Sequence, residues 1–75
     1  MSKPTRITNS IRALRFARGE MTQAELAQRI GVTRQTIIAI EQGRYSPSLE
    51  VAFQIARAFK VPLDEVFQYP DGESL

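Results

Sequence analysis

The sequence predicts an all-α fold of five short helices in one domain. Three observations carry that reading. Apolar residues recur at i, i+3 or i+4 and i+7 through most of the chain, with no strand-like alternation. Gly, Pro and Ser/Thr interrupt the pattern where helices would start and stop. Finally, 75 residues suffice for a single domain with a modest core.

The elements follow in order. Residues 1–6 (MSKPTR) are polar, contain a Pro and show no periodicity, so a flexible N-terminal arm is expected. Thr8 or Asn9 is placed to cap a first helix running to about Ala17 or Arg18. Its apolar stripe is Ile7, Ile11 and Leu14, with Arg12, Arg15 and Arg18 spread around it. Gly19 ends that helix, and Glu20-Met21 leads to the next. Thr22-Gln-Ala-Glu25 forms a capping box: the hydroxyl accepts from the Glu25 N–H while the carboxylate reaches back to the Thr22 N–H.

Leu26, Ala27 and Ile30 give the second helix its buried side, and Gly31 supplies the positive φ of a sharp exit. Thr33 caps a third helix ending near Gln42. One of its faces carries Thr36, Ile37, Ile40 and Glu41; the opposite one carries Arg34, Gln35, Ile38, Ala39 and Gln42. Gly43 stops it, and Pro47 pushes Ser46 out of the helical region. Ser48 caps a fourth helix to about Phe59, with Leu49, Ala52, Phe53, Ala56 and Phe59 on its inner side and Ile55 at the margin. After Val61-Pro62, a short fifth helix of about Leu63–Phe67 buries Leu63, Val66 and Phe67. The domain therefore spans 7–67, and 68–75 (QYPDGESL) reads as a short C-terminal tail.

Composition narrows the function. The chain has no Cys and no His, which removes disulfides, the usual metal ligands and the usual general base. It has no phosphate-loop pattern and no supported carboxylate pair, so neither an enzyme nor a metal or cofactor site is expected. No apolar run approaches the ~20 residues of a membrane span, and a cytoplasmic protein is expected. The net charge of +2 conceals an asymmetry. Residues 1–45 carry eight Lys/Arg against three Glu, whereas residues 46–75 carry two against five acidic groups. A dipolar chain of this kind presents its basic part to a polyanion.

Two amphipathic helices around a Gly occur in many all-α proteins, so the pattern alone also fits a purely structural role. Three details favour DNA. The link Gly31-Val32-Thr33 is the short turn of a helix-turn-helix. The outward face of the third helix opens with Arg34-Gln35, side chains suited to guanine O6/N7 and adenine N6/N7. The starts of helices two and three, with Gln23 beside them, gather free N–H groups that suit phosphate oxygens.

The run T-Q-x-E-L-A-x-x-x-G-V-T-R-Q-T-I-x-x-I-E-x-G-R-Y-x-P-S-L, from Thr22 to Leu49, resembles the DNA-binding domain of phage Cro and lambda-type repressors. It is most similar to the short, stand-alone bacterial regulators of the Xre family, and the likeness covers about Asn9 to Phe67. The resemblance implies a compact lambda-repressor-like domain with its third helix in the major groove. Thr33, Arg34, Gln35 and Ala39 would then lie over base edges or adjacent phosphates. Thr22 and Gln23 would meet phosphate at the start of helix two, and Arg44 and Tyr45 would brace the backbone further along. Arg15 would pair with Glu41 in a structural role.

Two departures stand out. Gly19-Glu20-Met21 is one residue longer than the phage link, and Ile38 stands where these regulators often carry a small polar residue. Ile38 would either pack on a thymine methyl or tuck against helix four or a partner. Arg12 and Arg18 would touch phosphate or stay solvated, and Tyr45 would bind phosphate or simply pack.

The function implied is a sequence-specific regulator of double-stranded DNA, a repressor that binds a palindromic operator as a homodimer. Leu63, Phe67 and Tyr69 are the candidate dimer surface. The alternative is an antitoxin-like module whose main partner is an accessory protein.

Overall fold

Side-chain caps set where three of the five helices begin. The computed structural model describes residues 5–70, and its elements are β1 (Thr8–Asn9), α1 (Ile11–Ala17), α2 (Gln23–Ile30), α3 (Arg34–Glu41), α4 (Leu49–Phe59), α5 (Leu63–Val66) and β2 (Phe67–Gln68). Thr22, Thr33 and Ser48 each accept the N–H three residues on, opening α2, α3 and α4. At Thr22 the reciprocal half is present too: its own N–H donates to Glu25 Oε1 at 2.8 Å. The expected arm at 1–6 and tail at 68–75 lie largely outside the described residues.

The core is the meeting of all five helices. Ile11 of α1, Leu26, Ala27 and Ile30 of α2, Ile37 and Ile40 of α3, Ile55, Ala56 and Phe59 of α4, and Val66 of α5 are buried together. Met21, which the sequence offered only as a link residue, is buried among them. Burying a Val, Leu, Ile, Phe or Met side chain contributes about 1.5–3 kcal/mol, and nine of these eleven residues are of that kind.

Three expectations are corrected. No strand was expected, yet β1 and β2 pair antiparallel, Thr8 with Gln68 and Asn9 with Phe67. Two-residue strands are too short to show a period of two, so no alternation could announce them. Ile7 therefore precedes α1 instead of lying on its stripe, and Ser10 is the N-cap position. In consequence α5 ends at Val66, because Phe67 is extended (φ −123°, ψ 138°). The third correction concerns α4. Leu49 and Phe53 are 68% and 51% exposed, whereas Ile55 is fully buried. The buried stripe is Ala52, Ile55, Ala56 and Phe59; at ~100° per residue, Leu49 and Phe53 fall on its outer flank.

The pairing of β1 with β2 ties the beginning of the domain to its end. Ser10 N–H donates to Val66 O at 2.8 Å, and Thr8 Oγ1 donates to Gln68 O. No helix among the described residues is long and apolar enough to cross a membrane.

Candidate nucleic-acid interface

The outward side of α3 is set by what its inward side must bury. Ile37 and Ile40 are committed to the core, which leaves Arg34 and Gln35 exposed at the first turn and Ile38 and Ala39 half-buried behind them. Thr33 fixes where that turn begins, accepting from Thr36 N–H at 3.2 Å. Its hydroxyl also lies 3.0 Å from Thr36 Oγ1. Gly31 (φ +80°) makes the turn between α2 and α3, its N–H and that of Val32 both donating to Ala27 O.

A second group fixes α1, α2 and α3 to one another. Arg15 Nε donates to Glu41 Oε2 at 2.7 Å and Nη2 to Oε1 at 3.3 Å, with the two side chains 9% and 10% exposed. Arg15 Nη1 donates to Met21 O at 2.9 Å. Gln23 Nε2 donates to the same Glu41 Oε1 at 3.2 Å, so the first residue of α2 is tethered to the last residue of α3. Asn9 holds the same corner from the other end: its Nδ2 donates to Ile40 O at 3.0 Å, while its Oδ1 accepts from Ile11 N–H. No buried side-chain N or O among the described residues lacks a partner.

These contacts fix a broad open concavity. Arg12, Thr22, Gln23, Arg34 and Gln42 line it together with Glu20 and the paired Arg15 and Glu41. Within α2 the Thr22 N–H is taken by the capping box, but the N–H groups of Gln23 and Ala24 have no acceptor among the described residues. Arg34 and Gln35 likewise keep their side-chain donors. The surface therefore offers cations and N–H donors, and it offers them beside a helix whose first turn projects outward.

A sequence model of the helix-turn-helix family matches residues 11–66, the whole run from α1 to α5. The chain belongs to that family, as an Xre-type transcriptional regulator. It is 55% identical over 53 residues to an uncharacterized HTH-type transcriptional regulator of Methanocaldococcus jannaschii, covering 71% of this chain and 80% of the relative. It is 39% identical over 59 residues to a cryptic phage CTXphi transcriptional repressor of Vibrio cholerae, covering 79% of this chain and 52% of that protein. Among solved structures, a putative DNA-binding protein from Bacteroides fragilis shares the fold, with a TM-score of 0.71 at 22% identity over 83% of this chain and 98% of that one.

The regulator's remaining residues distribute unevenly around the concavity. Arg44 Nε donates to Gln42 Oε1 at 2.9 Å just past α3, and Tyr45 beside it is 43% exposed. Arg12 and Arg18, which the sequence could not tell apart, are separated. Arg18 Nη2 donates to Phe59 O at the end of α4, and Arg18 lies along other grooves than Arg12. Leu63 and Phe67 are half-buried against the core, while Tyr69 is 64% exposed. The tether from Gln23 to Glu41 and the double role of Asn9 escaped the sequence reading. An Asn two residues before a helix start was the available signal for the second.

Proposed function

We propose that this DNA-binding transcriptional regulator is a repressor that reads a palindromic operator as a homodimer, with α3 in the major groove. The observation that carries the reading is the exposure of Arg34 and Gln35 at the first turn of a helix whose other face is locked into the core. Thr33 and Ala39 flank them on the same side. Ile38, half-buried, packs on a thymine methyl at the groove wall. Thr22, Gln23 and the free N–H groups of α2 hold phosphate on one side, with Arg44 and Tyr45 on the other. Likeness to a phage transcriptional repressor supports repression as the direction of control.

One reading helix covers only a few base pairs, which is why two copies are needed. Two copies on a palindrome would read half-sites about one duplex turn, ~34 Å, apart. Leu63, Phe67 and Tyr69 are the proposed meeting surface.

Selection of bound sequences from a random duplex pool tests the reading directly. A two-fold symmetric motif is expected. Arg34→Ala should then cost about 1–3 kcal/mol on the selected site and relax one base position, whereas Gln23→Ala should weaken all sequences alike. Equal losses on selected and scrambled duplexes for Arg34→Ala would remove its reading role.

A further inference from the structure

The guanidinium of Arg12 is held without being used. Its central carbon lies 5.6 Å from the centroid of the Phe16 ring, four residues on along α1. Arg15 lies over the same ring at 5.7 Å. The two arginines differ in what else they do. Arg15 has spent three donors, two on Glu41 and one on Met21 O, and is therefore fixed. Arg12 is exposed and enters no ion pair or side-chain hydrogen bond among the described residues, where the sole ion pair is Arg15–Glu41.

A ring and a carboxylate restrain arginine in different ways. A carboxylate takes the N–H edge and cancels the charge; an aromatic face attracts the cation and leaves donors and charge available. Phe16 is 53% exposed, so a cation held on its ring stays within reach of a ligand at the surface. Arg12 also lines the concavity that holds Gln23 and Arg34. Of the two carboxylates lining the same concavity, Glu41 is paired with Arg15 and Glu20 is exposed.

Resting on the DNA-binding reading above, we propose that Arg12 is an additional phosphate-binding residue and that Phe16 is its positioning residue. The chain Glu41–Arg15–Phe16–Arg12 transmits order outward: a buried ion pair fixes one guanidinium, that guanidinium steadies the ring, and the ring presents the second guanidinium to the DNA backbone. The ligand is a phosphate of the strand that passes α1 and the start of α2. No base is read by this contact, so it adds affinity and salt dependence without discrimination.

Binding of the intact protein to a selected duplex and to a scrambled duplex of equal length, titrated across salt, tests the proposal. Arg12→Ala should weaken both duplexes alike and reduce the slope of log K against log salt by about 0.9. Phe16→Leu should weaken both by about two- to five-fold, and Phe16→Tyr should retain affinity. In an Arg12→Ala background, Phe16→Leu should add nothing. Circular dichroism and the thermal midpoint check that each variant is folded, and loss of midpoint with unchanged DNA affinity counts against the positioning role. Additive losses would overturn that role, and an unchanged salt slope for Arg12→Ala would overturn the contact. If the unaltered protein binds neither duplex, the DNA-binding reading itself falls and this proposal with it. If it binds and the variants match it, this proposal alone falls.

Discussion

Among the described residues Arg15 is the buried charged residue, 7% exposed, and its surroundings show what allows a charge to remain there. Glu41 meets it side-on through two N–H donors, and Met21 O takes a third. A pair so enclosed is worth little against two well-packed apolar residues, but removing one member leaves the other uncompensated, at about 3–5 kcal/mol. Glu41→Ala is therefore expected to consume most of a stability that, for a domain this small, is about 3–5 kcal/mol in total. Urea titration followed by circular dichroism should show a largely unfolded protein in buffer, while Glu41→Gln, which keeps an acceptor for Arg15 and Gln23, should fall in between. An Ala variant with a midpoint near that of the unaltered protein would show that the pair is a surface ornament. The sequence reached this pair only through family resemblance, since its members lie 26 positions apart. Gln23 stands 18 positions from Glu41, and nothing in its neighbourhood in the sequence marks its amide as a structural tether. A pairwise contact between distant residues leaves no local trace in either neighbourhood.

The capped starts of α2, α3 and α4 are local, and that is why they are readable. The caps at Thr22, Thr33 and Ser48 each depend on a hydroxyl and an N–H three residues on, a relation wholly contained in four adjacent residues. The strands depend on partners nearly sixty positions away and were missed for that reason. Likewise the buried face of α4 was misjudged because apolar residues cover most of its circumference, so periodicity alone left its orientation free. Its C-terminus carries a testable strain. Lys60 closes α4 in the left-handed region (φ +61°), with Val61 N–H donating to Ala56 O, the place where Gly is usual. A Cβ there costs about 1–2 kcal/mol, part of which Gly returns as unfolded-chain entropy. Lys60→Gly should raise stability by about 0.5–1 kcal/mol, read as an upward shift of the urea midpoint with an unchanged slope. A downward shift would mean that the lysine side chain supports the helix end in a way its geometry does not suggest.

At the scale of the whole molecule, the question is how one small domain discriminates among duplexes. The basic N-terminal part carries the concavity and α3, and the acidic C-terminal part carries α5 and β2. In the proposed complex that division would let the basic part face phosphate and turn the acidic part away from it. In the proposed dimer, Tyr69 is the exposed member of the surface, at 64%, and Leu63 and Phe67 are held against the core behind it. An aromatic anchor at the centre of a small interface is typically worth about 1–2 kcal/mol, roughly a five- to thirty-fold change in affinity. Tyr69→Glu introduces a charge into that centre, next to an already acidic end, while leaving α3 and the phosphate contacts untouched. Occupancy of a full palindrome should therefore demand about ten-fold more protein and proceed through a resolved singly bound complex in a gel-shift titration. Binding to a single half-site should not change. A loss of equal size on the half-site would place Tyr69 in the fold or in the DNA contact, and an unchanged palindrome titration would move the two-fold surface elsewhere on the molecule.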